Sequence, residues 1–301
     1  MPEEGIELTE KGNLMTHEEV IHLSKKFVEL GVDKIRLTGG EPLIKKNIEK
    51  IITELAQLPI SLGITTNGIL LDKYHDLLLK TGVQNINISL DTLNREKFNT
   101  ITRRDYFDRV LKNINTFVQS GFAIKINAVL IKGVNDNEII DFIEFTKTRK
   151  VALRFIEFMP FDGNKWNTEK VVSLATILEK THQHYPKNKV IKLTDKPNDT
   201  AKNYQIKGYK GSFGIISTVS NPFCDSCNRL RLTANGKIKN CLFSEAESDL
   251  LTVLRKGEDV KATILKSVYH KKKSRGGMLA DADFFDSNKN TKNRAMISIG
   301  G

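Results

Sequence analysis

Three cysteines, Cys224, Cys227 and Cys241, are the only ones in a chain of 301 residues, and all three fall in one short stretch. Their spacing is C-x2-C-x13-C. The first two can grip a metal centre from a tight turn while the third returns from a nearby strand. Three thiolates leave one coordination position open. A 4Fe–4S cluster held this way keeps one iron free for a substrate atom, whereas zinc needs a fourth ligand, and His184 and His270 are distant in sequence. A zinc ribbon with a remote fourth ligand and buried thiols that bind nothing are the competing readings. So few cysteines exclude a disulfide framework and suggest a reducing compartment.

Beside the cysteines stands Asn228-Arg229-Leu230-Arg231. In an extended segment alternate residues point the same way, so Arg229 and Arg231 are expected to form a cationic fork suited to phosphate oxygens. Further polar residues recur at the ends or on the faces of apolar runs. Thr38-Gly39-Gly40-Glu41-Pro42 follows one such run, Thr65-Thr66-Asn67-Gly68 a second, and Ser89-Leu90-Asp91 a third. Lys125 and Asn127 share a face on a fourth; Arg154 and Glu157 lie on a fifth, which ends near Met159. Buried polar groups need partners, and a polar ligand would supply them. With Arg36, Lys125, Arg154, Arg229 and Arg231 around it, such a pocket suits a triphosphate better than a neutral metabolite. The His270–Arg275 cluster, HKKKSR, reads as a solvated helix end, with non-specific nucleic-acid contact as the minor alternative.

The elements that must carry these residues alternate. Thr16 and Glu19 form a capping box opening a helix with Val20, Leu23, Phe27 and Leu30 on one stripe, and Gly31 stops it. Strands are expected at 34–38, 61–66, 84–90, 123–131 and 151–158, with helices near 47–58, 72–81, 105–119 and 137–148 between them. Strands separated by helices are βαβ units with parallel pairing. Five units are too few for a full eight-fold barrel, and the first helix has no strand before it. After 162 the rhythm changes to a polar loop, a helix near 172–184, short strands, and two helical stretches near 247–272. A boundary is expected near 165. The apolar fraction of 39% and charged fraction of 28% suit a globular chain, and a net charge of +11 favours an anionic partner. No apolar run is long enough to cross a membrane as a helix.

KIRLTGGEPLI, GITTNGILL, INISLDTL, KINAVLIKGVND, LRFIEFMPFDGNKW, FCDSCNRLRLTANGKIKNCLF and the terminal ISIGG together resemble the radical S-adenosylmethionine (SAM) GTP 3′,8-cyclases of molybdenum cofactor biosynthesis, in the eukaryotic form. The resemblance spans nearly the whole chain. It implies an α/β fold: an incomplete (βα)6 TIM-like barrel of the radical SAM type over residues 1–165, here without its first strand. A C-terminal α+β extension over 166–301 would carry a cluster and GTP-binding residues. It also implies SAM held by Gly39, Gly40, Glu41, Ser89 and Met159. GTP would lie against Arg36, Thr65, Lys125, Arg154, Arg229, Leu230 and Arg231. A 4Fe–4S cluster would sit on Cys224, Cys227 and Cys241, with its open iron meeting the guanine. Gly300 and Gly301 match a tail that reaches into the active site. The implied reaction is radical cyclisation: a 5′-deoxyadenosyl radical removes the ribose 3′ hydrogen, and the carbon radical attacks guanine C8 to give 3′,8-cyclo-7,8-dihydro-GTP. The product passes to a cyclic pyranopterin monophosphate synthase.

One departure stands out. The family carries a second cysteine set, C-x3-C-x2-C, after its first strand, and this chain has no cysteines left to supply it. The expectation is an N-terminally truncated chain that keeps the GTP and second-cluster half of the site but has no ligands for the N-terminal cluster that generates the radical. A non-catalytic GTP-binding remnant with zinc or a cluster, and a different radical SAM enzyme with an auxiliary cluster, are the alternatives. Neither a membrane nor nucleic acid is expected as a partner; a homodimer is left open. Eukaryotic relatives imply a mitochondrial location, with the cytoplasm otherwise.

Overall fold

In the computed structural model, residues 9–161, 163–277 and Met296 are described. The chain enters helix α1 (His17–Glu29) through the expected capping box: Glu19 N donates to Thr16 Oγ1 at 3.2 Å, and Thr16 N donates to Glu19 Oε2 at 2.7 Å. Five parallel strands follow, β1 (Lys34–Leu37), β2 (Ser61–Thr66), β3 (Asn85–Ser89), β4 (Ala123–Leu130) and β5 (Val151–Glu157). They are linked by α2 (Ile48–Leu55), α3 (Leu71–Lys80), α4 (Arg95–Thr102), α5 (Phe107–Gln119) and α6 (Ile139–Phe145). Helix α4 lies where the sequence suggests none. It carries two threonines and buries only Phe98, so its periodicity is weak; Asn94 starts it by accepting from Lys97 N at 2.9 Å.

Alternation on the strands decides what faces where. On β4, Ile124, Ile126, Ala128 and Leu130 are buried while Lys125, Asn127 and Val129 are less so. On β5, Val151, Leu153 and Phe155 are buried, against half-buried Arg154 and Ile156. The apolar set joins Ile114, Phe117, Phe142 and Ile143 of the helices in the main core. Each large side chain so buried contributes about 1.5–3 kcal/mol. The opposite set is left to line the inner face of the curved sheet.

The sheet does not end at β5. After α7 (Leu174–His184) come β6 (Val190–Lys192), β7 (Lys202–Ile206) and β8 (Ser212–Ile216), and the order is β1-β2-β3-β4-β5-β8-β7-β6. Strand β8 pairs parallel to β5 and takes the sixth place, while β7 and β6 run antiparallel beyond it. The partial barrel therefore draws its last three strands from beyond residue 165. A separate three-stranded sheet, β9 (Arg231–Leu232), β10 (Lys237–Lys239) and β11 (Ser248–Asp249), carries the cysteine region. With α8 (Leu250–Arg255) and α9 (Val260–Tyr269) it packs on α1 through a second core containing Leu23, Phe27, Ile238, Leu250 and Ile264. Residues from both ends of the chain thus hold the extension against the barrel.

Candidate active site

At the carboxyl rim of the sheet, nothing among the described residues lies within 4 Å of where side chains at Gly39 or Gly40, in the turn after β1, would begin. Glu41 is spent on the protein itself. Its Oε1 accepts from Thr66 Oγ1 at 2.8 Å and Leu43 N at 3.1 Å, and its Oε2 accepts from Asn67 N at 2.7 Å. The carboxylate fastens the first turn to the end of β2 and so shapes the rim. Ser89 is exposed at the end of β3. Met159 stands just past β5, and its carbonyl accepts from Asn164 Nδ2 at 2.7 Å. It packs with Phe161, Trp166, Phe243 and Cys241 in a third apolar cluster, so the rim and the cysteine region share side-chain contacts.

Below the rim, register sets polar residues side by side. Thr65, Asn87 and Lys125 are partners across β2, β3 and β4; Ser89, Asn127 and Arg154 are partners across β3, β4 and β5. Arg36 stands opposite Gly63. A Cβ at Gly63 would come within 3.2 Å of both Arg36 Nη atoms, so the bare glycine lets the guanidinium lie flat on β2, where it donates to the Ile64 carbonyl at 3.4 Å. Burial, then Arg154, pushes Arg36 down to about 10. Burial, followed by Arg154, Lys34 and Arg36, pushes Lys125 down to about 8. Arg154 is also held below its ordinary value, first by burial, with Asp199 opposing and Arg229 adding to the shift. Lys34 is lowered by partial desolvation and by Arg36, Arg154 and Arg229. These mutual effects show five cations gathered from β1, β4, β5 and the segment before β9. Among the described residues, the buried Oδ1 atoms of Asn87 and Asn127 have no hydrogen-bond partner. This cationic inner face is a candidate channel, and with the Oδ1 atoms of Asn87 and Asn127 unpaired among the described residues it is suited to an anionic ligand that also carries hydrogen-bond donors.

The cysteines lie beside Arg229, the last of these cations. Cys224 opens a short 3-10 turn, and Cys227 N donates to its carbonyl at 3.1 Å. Cys241 follows β10. Burial pushes its thiol up, and negative charge on Cys224 and Cys227 would push it further, so the three thiols are within electrostatic reach of one another. Burial also acts on Cys227, but the Arg229 backbone N–H and the charges of Lys271 and Arg229 outweigh it and hold that thiol below its ordinary value. Among the described residues, no three His, Cys, Asp or Glu side chains are arranged to hold a metal ion as they stand. Arg229 donates to the Asn198 carbonyl at 2.8 Å and lies over the Phe223 ring. Arg231, half-buried on β9, is within electrostatic reach of Arg229, Cys227 and Cys241. Leu230 turns its side chain into the second core. Gly300 and Gly301 lie outside the described residues.

The basic cluster after α9 is not merely a solvated helix end. Lys271 Nζ donates to Cys227 Sγ at 3.4 Å and to the Arg229 carbonyl at 2.9 Å, and Arg275 N donates to Cys224 Sγ at 3.4 Å. His270, Lys272 and Lys273 keep the expected exposure. Alternation could have revealed Lys34, two before Arg36, and Asn87, two before Ser89; no local signal marks Asp199, Lys271 or Arg275.

Compared with known proteins, residues 3–146 match the Radical SAM superfamily and residues 151–276 match Molybdenum Cofactor Synthesis C. A protein of Arabidopsis thaliana named GTP 3′,8-cyclase, mitochondrial, is 45% identical over 307 residues, which cover 100% of this chain and 76% of that one. This chain belongs to the GTP 3′,8-cyclase family. Within that family, molybdenum cofactor biosynthesis protein 1 of Dictyostelium discoideum is 45% identical over 311 residues, 100% of this chain and 48% of its own length, so the chain spans about half of that relative. This chain also matches a solved structure of SuiB from Streptococcus suis bound to S-adenosylmethionine. The TM-score is 0.58 at 15% identity, over 94% of this chain and 70% of that one, a likeness of fold. Membership of the radical SAM superfamily brings with it a 4Fe–4S cluster and SAM as the family's cofactors.

Proposed function

We propose that the channel binds GTP and that the chain forms the substrate-holding part of a cyclase producing 3′,8-cyclo-7,8-dihydro-GTP. The observation that carries this is the gathering of Lys34, Arg36, Lys125, Arg154 and Arg229 in one channel that ends at the cysteines, in a member of the cyclase family. The cations bind the triphosphate as charge-assisted donors, worth about 1.5–3 kcal/mol each. Asn87, Asn127 and Thr65 offer hydrogen bonds to the nucleoside. The sheet fixes the ribose and excludes water from it.

Cys224, Cys227 and Cys241 hold a 4Fe–4S cluster. The donor chemistry supports that reading: three neighbouring soft thiols, with N–H groups aimed at two of them. SAM is held at the rim by Gly39, Gly40, Ser89 and Met159, with Glu41 keeping the first turn in place. When bound and reductively cleaved, it supplies the organic radical that removes the ribose 3′ hydrogen. All three cysteines serve the C-terminal site, so this chain by itself binds nucleotide without cleaving SAM. The product is an intermediate for a cyclic pyranopterin monophosphate synthase.

Calorimetric titration of the anaerobic chain with GTP, ATP and inorganic triphosphate tests the reading. GTP is expected to bind tightest; equal affinity for all three, or no binding, overturns it. Appreciable 5′-deoxyadenosine from this chain with SAM and a reductant would refute the assignment of its cysteines to a single, non-radical cluster.

A further inference from the structure

Segment Lys271–Gly277 follows α9 and touches the surroundings of every cysteine. Lys271 bridges Cys227 Sγ and the Arg229 carbonyl. Arg275 gives its backbone N–H to Cys224 Sγ, while its guanidinium, in a residue only 9% exposed, donates to the Val219 carbonyl at 3.2 Å. Gly276 lies flush on the chain just after Cys241: a Cβ there would come 2.7 Å from Ser244 N and 2.8 Å from the Phe243 carbonyl carbon. The path is held in an uncommon conformation, with φ of 42° at Arg275 and 69° at Gly276. A non-glycine residue is strained there, which the burial and hydrogen bonds of Arg275 offset. Nothing about a solvated helix end requires such a path.

We propose that Lys271–Gly276 is a basic strap that closes over the cysteine centre, retains its iron–sulfur cluster and raises the cluster's reduction potential. This rests on the assignment of the cluster to Cys224, Cys227 and Cys241. N–H donors and a positive charge next to ligand sulfur stabilise the more negative, reduced state. Lys271 is the strongest contributor because it brings both. Its second bond, to the Arg229 carbonyl, couples the strap to a residue of the cation channel. Lys271 and Arg275 are therefore positioning residues, acting on the cluster through its ligands.

The test uses the 301-residue chain reconstituted anaerobically with ferrous iron and sulfide. Three quantities are read: iron per chain, iron loss to a chelator, and midpoint potential by redox titration followed by electron paramagnetic resonance. Lys271→Ala is expected to load as much iron as the parent but to lower the reduction equilibrium about tenfold, about 59 mV to the negative for a one-electron couple. Lys271→Arg should restore most of that shift, and Gly276→Ala should speed iron loss. If the alanine variant loses its fold, Lys271→Met takes its place. A parent that takes up no iron, or a Cys224→Ala variant that takes up as much as the parent, refutes the cluster assignment itself. A parent that loads normally, with Lys271→Ala unchanged in potential and Gly276→Ala unchanged in retention, refutes the strap alone.

Discussion

The two ends of the candidate site are built differently. The cation channel is borne by strands: Arg36, Thr65, Asn87, Lys125 and Arg154 are fixed by register in a parallel sheet whose opposite face is core. The cysteine centre is borne by a turn, short strands and a strap, gathered from residues 224–276 and held by scattered side-chain bonds. The sheet places charges where moving them would disturb the fold, so it can keep like charges together at the cost of strongly lowered pKa values. The cysteine end has no such scaffold and depends on contacts that single substitutions can remove.

The largest effect that tests this contrast is expected from Arg154→Ala. It should weaken GTP binding by about 10- to 100-fold, from the loss of about 1.5–3 kcal/mol of charge-assisted bonding. Thermal stability should not fall, because relief of repulsion from neighbouring cations opposes the loss of packing. Arg229→Ala, from an exposed residue of the less regular region, should cost less; equal losses in the two titrations would break the comparison.

Gly63→Ala changes no charge. Its Cβ would meet the Arg36 guanidinium at 3.2 Å and the Asn85 carbonyl at 3.0 Å. An affinity loss of about tenfold is expected as the guanidinium lifts from β2, about 1.4 kcal/mol. Unchanged GTP affinity would show that the flat seat of Arg36 is irrelevant.

Proton linkage gives a smaller, sharper signal. Lys125, pushed down to about 8, is mostly charged at pH 7 and partly neutral above pH 8. A bound polyanion favours the charged form, so GTP binding should take up a proton, approaching about one per site at pH 9. Titrations in buffers of different ionisation enthalpy read this number; Lys125→Met should abolish it. For the unliganded fold the sign also follows. The unfolded chain binds this proton more tightly, so the Lys125 contribution makes stability rise with pH between about 8 and the ordinary lysine value of 10.5.

Asn87→Ala should have the smallest effect, about fivefold in GTP affinity for one neutral hydrogen bond of about 1 kcal/mol. The unliganded chain should not be destabilised through Asn87 Oδ1, which has no partner to lose among the described residues. A marked fall in melting temperature without an affinity change would reassign it to the fold.

Much of the strand-borne end was legible in advance. Period-two alternation within a few residues told which side chains of β4 and β5 share a face, and the capping box of α1 was local. Helix α4 was not legible, because a short polar segment with one buried aromatic has little periodicity. Nor was the placing of β8 beside β5, which depends on where α7 and the β6–β7 hairpin return the chain.

By itself, then, the sequence determined the alternation that lines the channel, the confinement of all cysteines to one region, and the surplus of positive charge. These are properties of neighbours along the chain, where covalent geometry transmits the pattern. Tertiary structure alone decided that Leu230 faces the second core, that Asp199 joins the cations, and that Lys271 and Arg275 turn back onto Cys227 and Cys224. The contacts of Asp199, Lys271 and Arg275 join residues more than forty positions apart, and their geometry is set by how the helices and sheets pack rather than by any local preference.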